Sequence, residues 1–207
     1  MKLENTIRFH FPKSSRIDDE TRSTSPDNLT GPDAIAALGM TQNEAGFGIA
    51  AFFGKIGLSQ NDKNKAVSLL MKRVRARCVK AKVMKTLSAR QRARAIYLIA
   101  LYAYENYCQT PENPESRCES CKGRGKVLDR ERSYNHGQHH LKDCPRCLGR
   151  GFMPIPASKL FRSLKAIIPE LSQPTFSRQL KPIYDDMLSV CVFEELHAEA
   201  VLSEKTK

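Results

Sequence analysis

The chain has 207 residues, enough for one or two small domains with a real core, and 41% of them are hydrophobic, as in ordinary globular proteins. No run of about 20 apolar residues occurs, which argues against a membrane span, and the first 12 residues mix charge with isolated apolar positions, so no export signal is read there. A formal net charge of +12 predicts a polyanionic partner, and seven cysteines in a chain without export predict a reducing compartment where metal is favoured over disulfides.

Residues 1–30 are polar and rich in Ser, Thr, Asp and Arg, and are expected to form a flexible arm. Pro32 and Asp33 open a short helix to about Leu38, which Gly39 is expected to end. Thr41-Gln42-Asn43-Glu44 then reads as a capping box for a helix over 41–56. Gly46 and Gly48 in that stretch point to close approach of another helix.

Ser59 caps a helix predicted over 60–85, with Ala66, Leu69, Leu70, Val74 and Cys78 on one apolar stripe. Ser88-Ala89-Arg90-Gln91 is a second capping box, opening a helix to about Cys108 with Ala95, Ile96, Ile99, Ala103 and Tyr107 inward. Between Lys63 and Arg94 lie 12 lysines and arginines and no Asp or Glu. A solvated helix face ordinarily mixes signs, so this stretch, including Lys72, Arg73, Arg75 and Arg77, predicts a surface for phosphate or for an acidic protein patch. Cys78, Cys108 and Cys191 fall in helical patterns as small core residues.

Pro111 and Pro114 mark a boundary. Beyond it, Cys118-Glu119-Ser120-Cys121-Lys122-Gly123-Arg124-Gly125 and Cys144-Pro145-Arg146-Cys147-Leu148-Gly149-Arg150-Gly151 repeat one pattern, C-x-x-C-x-G-R-G, with 22 residues between the inner cysteines. Each pair bends two thiolates toward one point, and the glycines permit a tight turn that aims backbone N–H groups at sulfur. Two such knuckles make a tetrahedral site, with Cys118, Cys121, Cys144 and Cys147 as ligands and Zn2+ as the expected occupant. Four cysteines close the shell, so the site is structural rather than catalytic. A zinc deaminase needs H-x-E ahead of P-C-x-x-C, whereas His197-Ala198-Glu199 follows the cysteines, so that reading fails. His136, His139 and His140 in the intervening loop are read as solvated. Val127 and Leu128 are expected to start a small strand, with Gly151-Phe152-Met153 returning beside it.

Residues 158–168 read as a helix with Leu160, Phe161, Leu164 and Ile168 inward. After a short break, Pro174 sits at the first position of a second helix with Ser172 or Gln173 as cap. This is a helix-turn-helix pattern, in which Ser172, Gln173, Thr175, Ser177, Arg178 and Lys181 would face base edges and Lys159, Arg162 and Lys165 would face phosphate. Pro182 interrupts the second helix or starts a third, which reaches Leu202 and carries Glu194, Glu195, Glu199 and Glu204. The expected fold is mostly α. It has a flexible arm (1–30), a basic helical body (31–110), an inserted four-cysteine zinc-knuckle module (111–156), and a helix-turn-helix-like DNA-binding segment with a C-terminal helix (157–207). No phosphate-binding Gly-rich loop and no Ser/His/Asp signature is present, so no catalysis is expected.

Several segments together resemble the Q antitermination proteins of lambdoid bacteriophages, the lambda type. They are Ala45-Gly46-Phe47-Gly48, Leu58-Ser59-Gln60-Asn61-Asp62-Lys63, both cysteine knuckles, Gln173-Pro174-Thr175 and Lys181-Pro182-Ile183-Tyr184, with Met1-Lys2-Leu3-Glu4 and Pro12-Lys13-Ser14 similar in character. DnaJ-type co-chaperones also repeat C-x-x-C-x-G-x-G, but in four copies and beside a J domain. The resemblance implies a factor of the bacterial host cytoplasm that binds a double-stranded DNA element at a phage late promoter. Such a factor engages host RNA polymerase near its flap while sigma factor is still held, and carries it through terminators into late genes. The resemblance places DNA binding at about 171–192. It leaves open whether nascent RNA is touched. The stretch 72–94 is more basic than the family pattern leads one to expect. Two rivals remain: a zinc-containing repressor or activator, and a chaperone-like zinc module. Lys122, Arg124, Arg130, Arg132, Lys142 and Arg146 make the zinc region too charged for the latter.

Overall fold

A computed structural model describes residues 2–6 and 31–206. The elements are α1 (Leu3–Thr6), α2 (Gly31–Glu44), α3 (Gly46–Lys55), α4 (Gln60–Cys78), α5 (Lys82–Lys85), α6 (Ala89–Tyr107), β1 (Lys126–Leu128), α7 (Arg130–His136), β2 (Leu141–Asp143), α8 (Ala157–Lys165), α9 (Gln173–Thr175) and α10 (Lys181–Lys205). A π-helical turn, Phe176–Leu180, joins α9 to α10. The fold is mostly helical, as expected. Of the expected arm, residues 7–30 lie outside the described residues, while Leu3 and Thr6 are buried and α1 packs on α10.

The longest helix, α10, is the hub, touching α1, α2, α3, α4 and α6. The main core gathers Phe47 from α3, Leu70 and Val74 from α4, Ile99 and Tyr104 from α6, Leu164 from α8, and Met187 and Cys191 from α10. Each large apolar side chain so buried contributes about 1.5–3 kcal/mol. A second cluster joins Leu3, Leu38, Phe52 and Phe53 to Ala198 and Leu202 at the far end of α10. Segments 31–110 and 157–207 therefore share one core.

Gly48 is what lets α3 lie against α10: a Cβ there would fall on the Glu194 carbonyl and the Ala198 methyl. This is the close approach expected of it; Gly46 has open space around its Cα instead. Gly39 does not end a helix, because α2 continues through it on an exposed face. Thr41 is likewise no cap. Its hydroxyl donates back to the Ala37 carbonyl at 2.7 Å, the bond an intrahelical Thr makes, and the break comes at Ala45.

Both other caps form as expected. Ser59 Oγ accepts from Asp62 N at 3.2 Å. Ser88 Oγ accepts from Gln91 N at 3.3 Å while Gln91 Oε1 accepts from Ser88 N at 3.1 Å. The helix expected over 60–85 stops at Cys78, and a turn at Val79–Ala81 leads into α5. The apolar stripe continues across that turn through Ala81 and Met84, both buried, so periodicity alone concealed the break. Pro182 is accommodated rather than disruptive. It lacks an N–H and its ring would crowd the Arg178 carbonyl in an α path, and the π turn immediately ahead widens the helix there.

Candidate metal centre and nucleic-acid surface

Cys118, Cys121, Cys144 and Cys147 are wholly buried, and their sulfurs all lie within 4.8 Å of one another. Cys118 Sγ is 3.9 Å from Cys144 Sγ, and Cys121 Sγ is 3.7 Å from Cys147 Sγ. Tetrahedral zinc with Zn–S of about 2.3 Å requires sulfurs about 3.8 Å apart, so the donor set fits zinc. The backbone N–H groups of Cys121 and Ser120 pull the Cys118 thiol down to about 7, whereas burial pushes the Cys147 thiol up to about 11. A dication held there would supply the charge that lets all four ionise together.

The knuckles are related as copies. Gly125 N donates to Cys121 Sγ at 3.3 Å, and Gly151 N to Cys147 Sγ at 3.2 Å. Arg124 Nε and Arg150 Nε each close back on the carbonyl of the second cysteine, at 3.3 and 3.1 Å. Lys122 and Leu148 both take the left-handed conformation, with φ of 51° and 53°. The copies also interlock: Cys144 N donates to Gly125 O at 2.8 Å and Cys118 N to Gly151 O at 2.9 Å. A Cβ on Gly125 or Gly151 would strike the backbone of the opposite knuckle, at Gly149 and Gly123. The role of the two arginines is not visible in the pattern C-x-x-C-x-G-R-G until this geometry is seen.

The intervening loop is ordered by local bonds. β1 pairs antiparallel with β2, Val127 opposite Lys142, rather than with residues 151–153 as expected. Phe152 bridges Arg117 instead, through the bonds Cys118 N to Gly151 O and Met153 N to Ser116 O. Among the described residues no histidine joins the sulfur cluster, and His139 is exposed as expected. His140 is instead half-buried, with its backbone N–H donating to Ser133 Oγ at 2.9 Å and its carbonyl accepting from Asp129 N at 2.8 Å. The His136 side chain lies outside the described residues. Asn106, buried at the end of α6, ties the module to the body. Its Oδ1 accepts from Ile155 N at 2.8 Å and its Nδ2 donates to the Tyr184 hydroxyl at 2.8 Å.

Just beyond, α8 leads through a turn into the three-residue α9, which the π turn continues into α10. Phe161 of α8 packs on Phe176 with ring centroids 5.3 Å apart and planes tilted by 52°. Ser172 caps α9, its Oγ accepting from Thr175 N at 3.3 Å. Ser172, Gln173, Ser177 and Arg178 are exposed, Thr175 is half-buried, and Lys181 is half-buried and paired with Asp185. Lys159, Arg162 and Lys165 are exposed on α8.

On α4, Lys72 and Arg75 are exposed, but Arg73 is held by Glu194 and Arg77 by Asp186 at 3.2 Å. Lys55 pairs with Glu195 at 3.0 Å. The acidic face of α10 thus neutralises part of the basic helix within the chain, a pairing across more than a hundred residues that sequence pattern does not reveal. Gln179, for which the sequence pattern carries no signal, accepts at its Oε1 from Val83 N at 3.0 Å and so joins α5 to the π turn. No described helix is long and apolar enough to cross a membrane.

The family model for antitermination protein Q matches residues 23–110 and 112–199. The chain is 40% identical to antitermination protein Q of Escherichia phage lambda and to that of Salmonella phage P22, in each case over the full length of both proteins. A prophage antitermination protein Q homolog of Escherichia coli K12, QuuQ, is similar at 25% identity, again over the whole of both chains. A match of this extent, knuckles and flanking helices included, makes the chain a member of the antitermination protein Q family.

Proposed function

We propose that the chain is a phage transcription antitermination factor. It binds a double-stranded DNA element at the late promoter, loads onto promoter-proximally paused host RNA polymerase, and lets it read through pauses and terminators into late genes. The full-length 40% identity to the lambda and P22 proteins carries this reading. The chain is a regulator and not an enzyme. Zinc on Cys118, Cys121, Cys144 and Cys147 holds the module rigid against α6 and α10, and its closed sulfur shell supplies structure rather than chemistry. The helix beginning at Gln173 enters the major groove, where Gln173, Thr175, Ser177 and Arg178 meet base edges and Lys159, Arg162 and Lys165 meet phosphate. Polymerase is engaged near its flap, with sigma factor still present, and electrostatic attraction speeds loading more than it confers specificity.

The test is transcription in vitro by host polymerase. The template carries the late promoter, a pause and a terminator, with and without the protein. Readthrough that requires the promoter-proximal element is the expected result. Site-specific DNA binding without readthrough would make the chain an ordinary zinc-containing repressor or activator and sink the proposal.

A further inference from the structure

The basic stretch from Lys63 to Arg94 is not electrostatically uniform once folded. On its body side Arg73 and Arg77 are neutralised by Glu194 and Asp186 of α10. Beyond Cys78 the pattern changes: Lys80, Lys82 and Lys85 are exposed and take part in no ion pair among the described residues. Uncompensated charge, present on α4 at Lys72 and Arg75, therefore continues onto and beside α5.

That position is fixed relative to α9. Val83 N, next to Lys82, donates to Gln179 Oε1 at 3.0 Å, so the π turn grips α5 directly. Gln91 Nε2 donates to the Ile167 carbonyl at 3.2 Å, holding the start of α6 to the turn after α8. Beside these two bonds runs a cleft of about 540 Å³, with Lys82, Thr175 and Gln179 on its walls and Glu170 as the one carboxylate among its lining residues. A duplex seated on α9 would pass its backbone close to Lys82. Fixed cations beside a reading helix bind phosphate without regard to sequence.

We propose that Lys80, Lys82 and Lys85 form a second phosphate-binding bank, contacting duplex DNA that flanks the element read by the helix from Gln173. The proposal rests on the DNA reading of α9. It extends the footprint outside 157–207 and gives the basic stretch a defined ligand, the backbone of double-stranded DNA.

The test uses the full-length zinc-loaded protein and a duplex it selects from a random library. That duplex is made long, trimmed to its selected core, and scrambled. The variants are Lys80→Gln/Lys82→Gln/Lys85→Gln, the single reversal Lys82→Glu, and Arg178→Ala. Each is first checked for zinc content and helical circular dichroism. Each phosphate contact contributes about 0.9 to the slope of log affinity against log salt, so the triple variant should lose about 2–3 in slope on the long duplex. It should keep its ratio of selected to scrambled binding, and trimming the flanks should erase its difference from wild type. Lys82→Glu should weaken long-duplex binding in the same flank-dependent way. Arg178→Ala should do the reverse, losing discrimination and keeping flank dependence. An unchanged slope in the triple variant overturns the bank while leaving α9 as the reader. A loss confined to single-stranded RNA of the same length overturns it in favour of an RNA surface. Selection of no preferred duplex removes the α9 reading, and the bank with it.

Discussion

In the helical body Leu70, Ile99, Leu160, Leu164 and Met187 are all buried in one continuous core. Between residues 111 and 156 the buried side chains, among the described residues, are Ser116 and the four cysteines, with Val127 only partly covered. The first region is held by apolar burial, spread over many contacts and tolerant of losing one. The second has no such reserve. Its two knuckle turns converge on four sulfurs, so with a metal held there its folding free energy would be largely its metal-binding free energy. One chain thus contains two regions that should fail under different insults.

Losing the metal should have the largest effect. Cys121→Ser or Cys147→Ser forfeits most of the zinc-binding free energy, about 10–16 kcal/mol in comparable structural sites. The expected outcome is metal stoichiometry near zero, rapid trypsin cleavage at the arginines and lysines of residues 122–143, and a body that still melts cooperatively. Full zinc content with unchanged melting in either variant would remove the distinction between the regions. Leu164→Ala attacks the other region. It should cost about 2–5 kcal/mol in urea unfolding followed by helical circular dichroism, with zinc retained. Concomitant metal release would show that the two regions unfold as one.

Asn106→Ala probes the joint. It leaves Ile155 N and the Tyr184 hydroxyl without their partner and should cost about 1–3 kcal/mol. Hydrogen exchange should quicken at Ile155 while the amides of Cys144 and Gly151 stay protected; equal acceleration throughout the module would refute a local role. Arg178→Ala should weaken binding to the selected duplex by about 1–3 kcal/mol if its guanidinium reads guanine, with little change on scrambled DNA. An equal loss on both would make it a phosphate contact. The smallest effect is expected at Ser88→Ala, about 1 kcal/mol of body stability from the lost cap, measured by thermal melting.

How much was legible follows the same division. The cysteine site could be read from sequence because its ligands and glycines are local, each knuckle carrying its own turn and its own N–H to sulfur. The α4 and α6 stripes were legible because burial repeats with helical period. What escaped depended on partners distant in the chain or on weak local signals. Thr41 has the composition of a cap, yet it lies inside α2, where its hydroxyl finds Ala37. The strands are three residues each and exposed on most positions, too short for alternation to show which segment pairs with Val127. The neutralisation of Arg73 by Glu194 and the clamp of Gln179 on Val83 exist only once α10 has folded back across the body.

The interlocked knuckles have a consequence for synthesis on the ribosome. Cys118 and Cys121 emerge well before the residues that complete their site, and the Cys118 amide must wait for the Gly151 carbonyl. A nascent chain can hold at most a half-site until the second knuckle leaves the exit tunnel. The residues of α8 come out immediately afterwards. Four-sulfur metal capture would therefore be timed by translation: it becomes possible only after α6 has been made and as α8 begins to emerge.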